Sequence, residues 1–187
     1  MLNTLILTQA ITFAAKAHDG QARKGSDLPY IVHPMEAVSI AATMTDDIEI
    51  LAAAALHDVV EDCGVKTDDL RRVFGERIAR LVDFQSEKKE ANAQASWQKR
   101  KLRTVNHLRI AEHDDMILTL ADKLSNLRSM DRDLRAQGPQ FWLRFNQTNP
   151  SMHHWYYASI AGALTPLEHT DAYKEYLSLI EKVFPQA

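Results

Sequence analysis

Within six residues the sequence sets an imidazole among three carboxylates: His57, Asp58, Glu61 and Asp62. The run before them, Ile48 to Leu56, carries a single charge, Glu49. No helical face of that run is polar, so it should be buried all round. Taking three acids and a histidine into an apolar interior is costly unless partners satisfy them, and one bound cation satisfies them together. The stretch therefore reads as a metal site. Glu61 follows His57 by one helical turn and Asp62 follows Asp58, so all four would crowd one end of one helix. The alternative is a helix that simply ends here with its acids in water.

Two further ligands lie far away in the chain. His33 stands immediately before Pro34; proline fits a first helical turn and biases its predecessor towards extended backbone, which places His33 in a stiff pre-helical position with Glu36 one turn in. Asp122 shares a helical face with Asn126 and Ser129, apart from the apolar stripe of Ile117, Leu118, Leu120, Ala121, Leu124 and Leu127. Two imidazoles and two carboxylates make a thiolate-free site. Such a site suits manganese, with iron, zinc or magnesium less favoured or harder to exclude. A divalent ion with open positions lowers the pKa of bound water and polarises a phosphoryl oxygen, chemistry that serves hydrolysis of phosphate esters and anhydrides. Glu61 and Asp62 are then free to orient that water, take its proton or deliver one to the leaving group.

The elements that must hold these groups read as helices. No stretch shows strand alternation, and 6 Gly and 6 Pro punctuate 187 residues, so long helices with short joints and an all-α single domain over 1–187 are expected. One helix should run from Ile48 to Cys63, opened by Asp46 and Glu49 as a capping pair. Others follow near Thr67 to Phe74, Gly75 to Gln85, Ser96 to Glu112 and Asp115 to Met130; one more starts at Asn149-Pro150 and another at Thr165-Pro166. The polar opening of SEKKEANAQASWQKRKLRT suggests an exposed loop or frayed helix. Lys99, Arg100, Lys101 and Arg103 read first as a solvated face, with Arg103 able to reach a phosphate. For at least two of Trp155, Tyr156 and Tyr157 core packing is the simpler reading.

Composition narrows the partners. Hydrophobic residues at 45% and a net charge of -3 describe an ordinary soluble globule, without the basic surplus that nucleic-acid binding needs. No apolar run approaches the roughly 20 residues that cross a bilayer. The one cysteine, Cys63, excludes an internal disulfide and suits a reducing, cytoplasmic setting. It reads as a small packed thiol, and the remaining histidines, among them His107 and His153, do not read as ligands. Oligomeric state leaves no mark in the sequence.

Three segments carry a resemblance. AHDGQARKGSDLPYIVHP at 17 to 34, AALHDVVEDC at 54 to 63 and LADKLSNLRSM at 120 to 130 resemble, in order, the hydrolase domain of RelA/SpoT homologues, within the HD superfamily of phosphohydrolases. The resemblance spans residues 1 to about 165, leaves no room for a synthetase or regulatory domain, and implies an HD-domain helical bundle: a stand-alone alarmone hydrolase similar to the metazoan SpoT homologues. It implies that His33, His57, Asp58 and Asp122 hold manganese and that Glu61 and Asp62 activate water at the 3′-pyrophosphate of ppGpp. It also implies a small nucleotide as partner: Arg23 and Lys24 pack on the base, Asn126 contacts the nucleotide, and Ser129 stands where relatives often carry threonine. The FQSEKKEANAQASWQ segment departs from the long hydrolase-synthetase enzymes. A related enzyme acting on ppApp or NADPH, or a non-catalytic alarmone-binding module, are the other readings. The last would be expected to lack an acid or a ligand, and all are present here.

Overall fold

The computed structural model describes residues 4–87 and 96–185. Among them the regular structure is helical, apart from one isolated bridge between Ala22 and Pro29. In chain order the α-helices are α1 (Leu5–Ala17), α2 (Val32–Ala41), α3 (Ile48–Leu56), α4 (Val59–Cys63), α5 (Thr67–Phe74), α6 (Glu76–Gln85), α7 (Trp97–Leu108), α8 (His113–Gln137), α9 (Pro150–Ala163) and α10 (Asp171–Val183). Short 3-10 turns cover Gly138–Arg144 and Thr165–Leu167. The expected loop after Ser86 falls on residues 88–95, outside the described residues. None of the described helices is long and apolar enough to cross a membrane.

Helix α3 is the hub. Every residue from Ile50 to Leu56 is buried, and the small side chains of Ala52 to Ala55 let α1, α2, α6 and α8 all pack against it. The long α8 lies along α2, α3, α6 and α10. Its stripe of Leu118, Leu120, Ala121, Leu124 and Leu127 has no exposure at all, as the helical spacing predicts. Arg77 fastens one end of this arrangement: its guanidinium reaches Asp47 and Glu49 at the start of α3, both at 2.8 Å, and Asp114 at the start of α8 at 2.7 Å.

Several local expectations are corrected. Ile48 to Cys63 is two helices, because the His57 imidazole donates from Nδ1 to the Ala54 carbonyl at 2.8 Å and so competes for a backbone acceptor as the helix ends. A short second helix then stops at Gly64, whose φ of 70° is the left-handed conformation that glycine adopts without penalty. The cap of α3 is Asp47 rather than Asp46: its carboxylate accepts from the Glu49 N–H at 2.9 Å. His33 sits inside the first turn of α2, its N–H bonded to the Tyr30 carbonyl at 3.0 Å. Thr165-Pro166 makes only a 3-10 turn, and the last helix begins at Asp171, capped by the Thr170 hydroxyl. Helix α8 extends beyond both ends of its predicted span.

Burial sets the cost of disturbing this core. Leu124→Ala leaves a cavity between α8 and its neighbours and is expected to lower unfolding free energy by about 2–5 kcal/mol. Ile110→Ala, at a side chain 82% exposed, should stay within about 0.5 kcal/mol of the parent. Urea titrations of both variants followed by circular dichroism check the contrast.

Candidate metal centre

The break between α3 and α4 is what lets two successive residues face one point. On a continuous helix neighbours point apart; here His57 Nε2 lies 3.1 Å from Asp58 Oδ2. From α2, His33 brings its Nε2 within 3.2 Å of His57 Nε2 and 3.5 Å of Asp58 Oδ2. From α8, Asp122 Oδ1 lies 3.3 Å from His33 Nε2 and 3.8 Å from His57 Nε2. His33, His57 and Asp58 meet the geometric requirement for a shared cation, and Asp122 approaches the two histidines from α8. All four predicted ligands are thus brought together. The first two and Asp122 are buried, while the Asp58 side chain keeps 19% exposure, which leaves one side open to solvent.

Hydrogen bonding shows that these groups fit a cation. The Nδ1–H of His57 is spent on the Ala54 carbonyl. His33 Nδ1 meets the Ser125 hydroxyl at 2.7 Å, and that hydroxyl donates onward to Glu36 Oε2 at 2.7 Å, so the serine oxygen accepts from His33. Both imidazoles therefore turn bare Nε2 lone pairs towards each other and towards two carboxylates. Lone pairs so placed repel unless something positive stands among them. A proton can take that place: burial opposes a charge on His57, but Asp58 and then Asp122 override it and push its pKa up to about 9. Burial keeps His33 below its ordinary value. Burial also opposes the charge on Asp122, yet the Lys123 ammonium, at 2.6 Å from Oδ2, and the histidines hold its carboxyl well below the carboxylate range.

The acidic pair lies beside this cluster. Glu61 is half-buried, accepts from the Glu87 N–H at 3.2 Å, and has its pKa raised by burial and by Asp58 and Asp62; a carboxyl held this way exchanges protons nearer neutrality. Asp62 is exposed, and its Oδ2 lies 2.9 Å from the Tyr30 hydroxyl, which is also 2.7 Å from Asp58 Oδ2. Cys63 packs its sulfur 3.2 Å from His18 Nδ1, and burial pushes the thiol up, as a packed rather than nucleophilic cysteine requires.

The residues expected to meet a nucleotide divide into two groups. Arg23 donates to Asn126 Oδ1 at 2.9 Å and covers the Tyr30 ring at 5.3 Å, and Asn126 in turn donates to Asp122 Oδ1 at 2.5 Å. These two are wired to the metal cluster. Exposed Lys24 sits over the Phe145 ring at 5.7 Å, and Ser129 is half-buried one turn beyond Asn126. Arg103 is elsewhere: it lines a cleft of about 850 Å³ that reaches the cluster through Glu61 and Lys123 and also presents Arg100, Lys101 and Tyr156. The Tyr156 hydroxyl is buried and has no hydrogen-bond partner among the described residues, which suits a ligand-facing group. The basic cluster is not simply solvated, since Arg100 and Lys101 both reach Glu87.

Sequence reasoning missed Tyr30, Ser125 and Lys123. Tyr30 and Ser125 stand within the stretches PYIVHP and ADKLSN; what conceals them is that their partners, Asp58 and His33, are remote in the chain. His153 is ringed by Trp97, Trp142 and Phe145, with its Nε2 2.7 Å from the Gln147 carbonyl.

An all-helical bundle here gathers two histidines and two aspartates from three places in the chain into a candidate metal site. Comparison makes this specific: residues 10–143 match the HD domain family, and the chain belongs to it. It is 39% identical over 132 residues to a guanosine-3′,5′-bis(diphosphate) 3′-pyrophosphohydrolase of Vibrio cholerae, covering 66% of this chain but 18% of that protein. It is 34% identical over 133 residues to the protein of that activity named MESH1 in Danio rerio, covering 70% of this chain and 72% of the relative. A crystal structure from Listeria monocytogenes EGD-e superposes with a TM-score of 0.72 at 30% identity, over 84% of this chain and 97% of that one. A structure described as a metazoan ortholog of SpoT that hydrolyzes ppGpp gives 0.77 at 25% identity, over 100% and 97%.

Two outcomes are expected at the metal centre. Ser125→Ala removes the acceptor that fixes the His33 ring and should weaken divalent-ion binding about 10- to 100-fold, read by chelator competition. Because a proton competes for the same nitrogen, affinity should strengthen by about tenfold per pH unit above neutrality and level off past the His57 value of about 9; a flat profile contradicts this reading.

Proposed function

We propose that this chain hydrolyses the 3′-pyrophosphate of guanosine alarmones, converting ppGpp and water to GDP and pyrophosphate. The observation that carries the reading is the convergence of His33, His57, Asp58 and Asp122 on one point, with Glu61 and Asp62 beside it. The activity for which the Vibrio and Danio relatives are named points the same way. The four residues are the proposed ligands of a divalent ion, manganese by preference for a mixed nitrogen and oxygen set. When bound, such an ion supplies Lewis acidity towards a phosphoryl oxygen and a lower pKa for water.

The protein's own groups do the rest. Glu61, with its raised pKa, is the group we assign to moving the proton of the attacking water, and Asp62 orients that water. The bond that breaks joins the nucleoside 3′ oxygen to phosphorus, so that oxygen must leave as a hydroxyl and needs a proton, which the same pair can return. Lys123 holds Asp122 by one oxygen and leaves the other turned to the histidines. Arg23, Lys24, Asn126 and Ser129 are the proposed contacts to the nucleoside, and Arg103, with Lys101 and Tyr156, to phosphate in the adjoining cleft.

Metal-stripped protein given ppGpp, ppApp and NADPH, each with and without manganese, tests this. Pyrophosphate and GDP resolved by anion exchange are expected from ppGpp with manganese. Absence of both overturns the proposal, and turnover confined to ppApp or NADPH moves it to the related substrate. Glu61→Gln and Asp62→Asn should each lower kcat by about 10²- to 10⁴-fold with circular dichroism unchanged; full activity in both would remove the assigned roles.

A further inference from the structure

Tyr30 belongs to none of the groups assigned above, yet it touches three of them. Its hydroxyl lies 2.7 Å from Asp58 Oδ2, the same oxygen that faces His57 and His33, and 2.9 Å from Asp62 Oδ2. Its ring carries the Arg23 guanidinium at 5.3 Å. We infer that Tyr30 is a positioning residue, tying the exposed Asp62 carboxylate to the metal ligand Asp58 and fixing which oxygen of each faces the reaction centre.

The geometry supports this in two ways. First, the phenol is itself held rigidly. Its ring stacks on buried His18 with centroids 4.7 Å apart and meets His33 edge-on at 5.9 Å. Its N–H donates to the Gln21 carbonyl at 2.9 Å, and Arg23 N–H donates to the Leu28 carbonyl at 2.8 Å. These bonds close the Gln21-to-Tyr30 loop and aim the hydroxyl from a fixed base. Second, Asp62 needs such a tether. It sits exposed near the end of a helix of only 5 residues, and a carboxylate there rotates freely unless a partner holds it. Tyr30 is that partner from the side chain, while Gln21 Nε2 holds the Asp62 carbonyl at 3.3 Å.

A phenol has one hydrogen and cannot donate to two carboxylates at once. The hydroxyl is therefore shared between the ligand and the acid, and a change at either is felt at the other. A merely structural tyrosine would be insensitive to which carboxylates remain.

Tyr30→Phe keeps the ring contacts and removes only the hydroxyl. With the melting temperature at the wild-type value, kcat on ppGpp is expected to fall about 10- to 100-fold with KM little changed, and divalent-ion affinity to weaken by about tenfold. The visible absorption of the Co²⁺-loaded variant should shift as Asp58 loses its hydrogen bond. Combined with Asp62→Asn, Tyr30→Phe should add almost nothing to the loss in kcat, because the two act as a unit. Multiplying losses, or an unchanged kcat, overturn the link to Asp62; an unchanged Co²⁺ spectrum and affinity overturn the link to Asp58. The kinetic arm rests on the hydrolase reading. Should the wild-type protein release no pyrophosphate, that reading falls, while the metal-affinity and spectral arms still decide the role of Tyr30.

Discussion

Two imidazole nitrogens 3.2 Å apart, each with its ring partner already donating elsewhere, are the constraint around which the molecule is organised. Like lone pairs do not stay so close in a protein interior unless a positive charge lies between them. Asp58 and Asp122 sharpen the demand, since each adds negative charge to a place that water reaches from one side. The cluster is therefore poorly satisfied by protein alone, and its rigidity must come from elements whose packing does not depend on it. Helix α3 provides that base: buried on all sides, it fixes Ala54, and Ala54 fixes the ring of His57.

Outer contacts extend the same logic to the surface. Ser125 holds His33, Glu36 holds Ser125, and Arg128 reaches both Glu36 at 3.1 Å and Glu175 of α10 at 2.7 Å. The inner links satisfy the buried His33 and Ser125, and the outer ones run through partly exposed charges to the surface. A histidine in the first turn of α2 is in this way anchored to the last helix of the chain. The arrangement explains why α8 buries two polar residues beside its apolar stripe: Asp122 faces both histidines and Ser125 holds the His33 ring.

Much of this was legible in the sequence. The buried run before His57, the distant histidine before Pro34 and the Asp122 face follow from spacing and polarity, and all four come together. The cap at Asp47, the interruption at His57 and the start of α10 were not legible, because each turns on one side chain bonding to one backbone group. Periodicity records which residues prefer the interior; it does not record a single imidazole taking one carbonyl. Tyr30 was hidden for a different reason. Its partners lie 28 and 32 positions away, and a tyrosine in a turn carries no signal until the loop is closed.

The wiring also bears on how recognition and chemistry are joined. Arg23 bonds Asn126, Asn126 bonds Asp122 Oδ1, and that oxygen faces the histidines. A ligand that takes over the Arg23 bond to Asn126 would change the hydrogen bonding of a residue that holds Asp122. Through the Tyr30 ring, Arg23 also lies against the group that spans Asp58 and Asp62. Under the proposed function, a nucleoside that took over that bond and the state of the carboxylates would not be independent. In thermodynamic terms they would share a coupling free energy, which acts equally in both directions. A site assembled this way favours a ligand long enough to engage Arg23 and the cluster together over a fragment that fills only one.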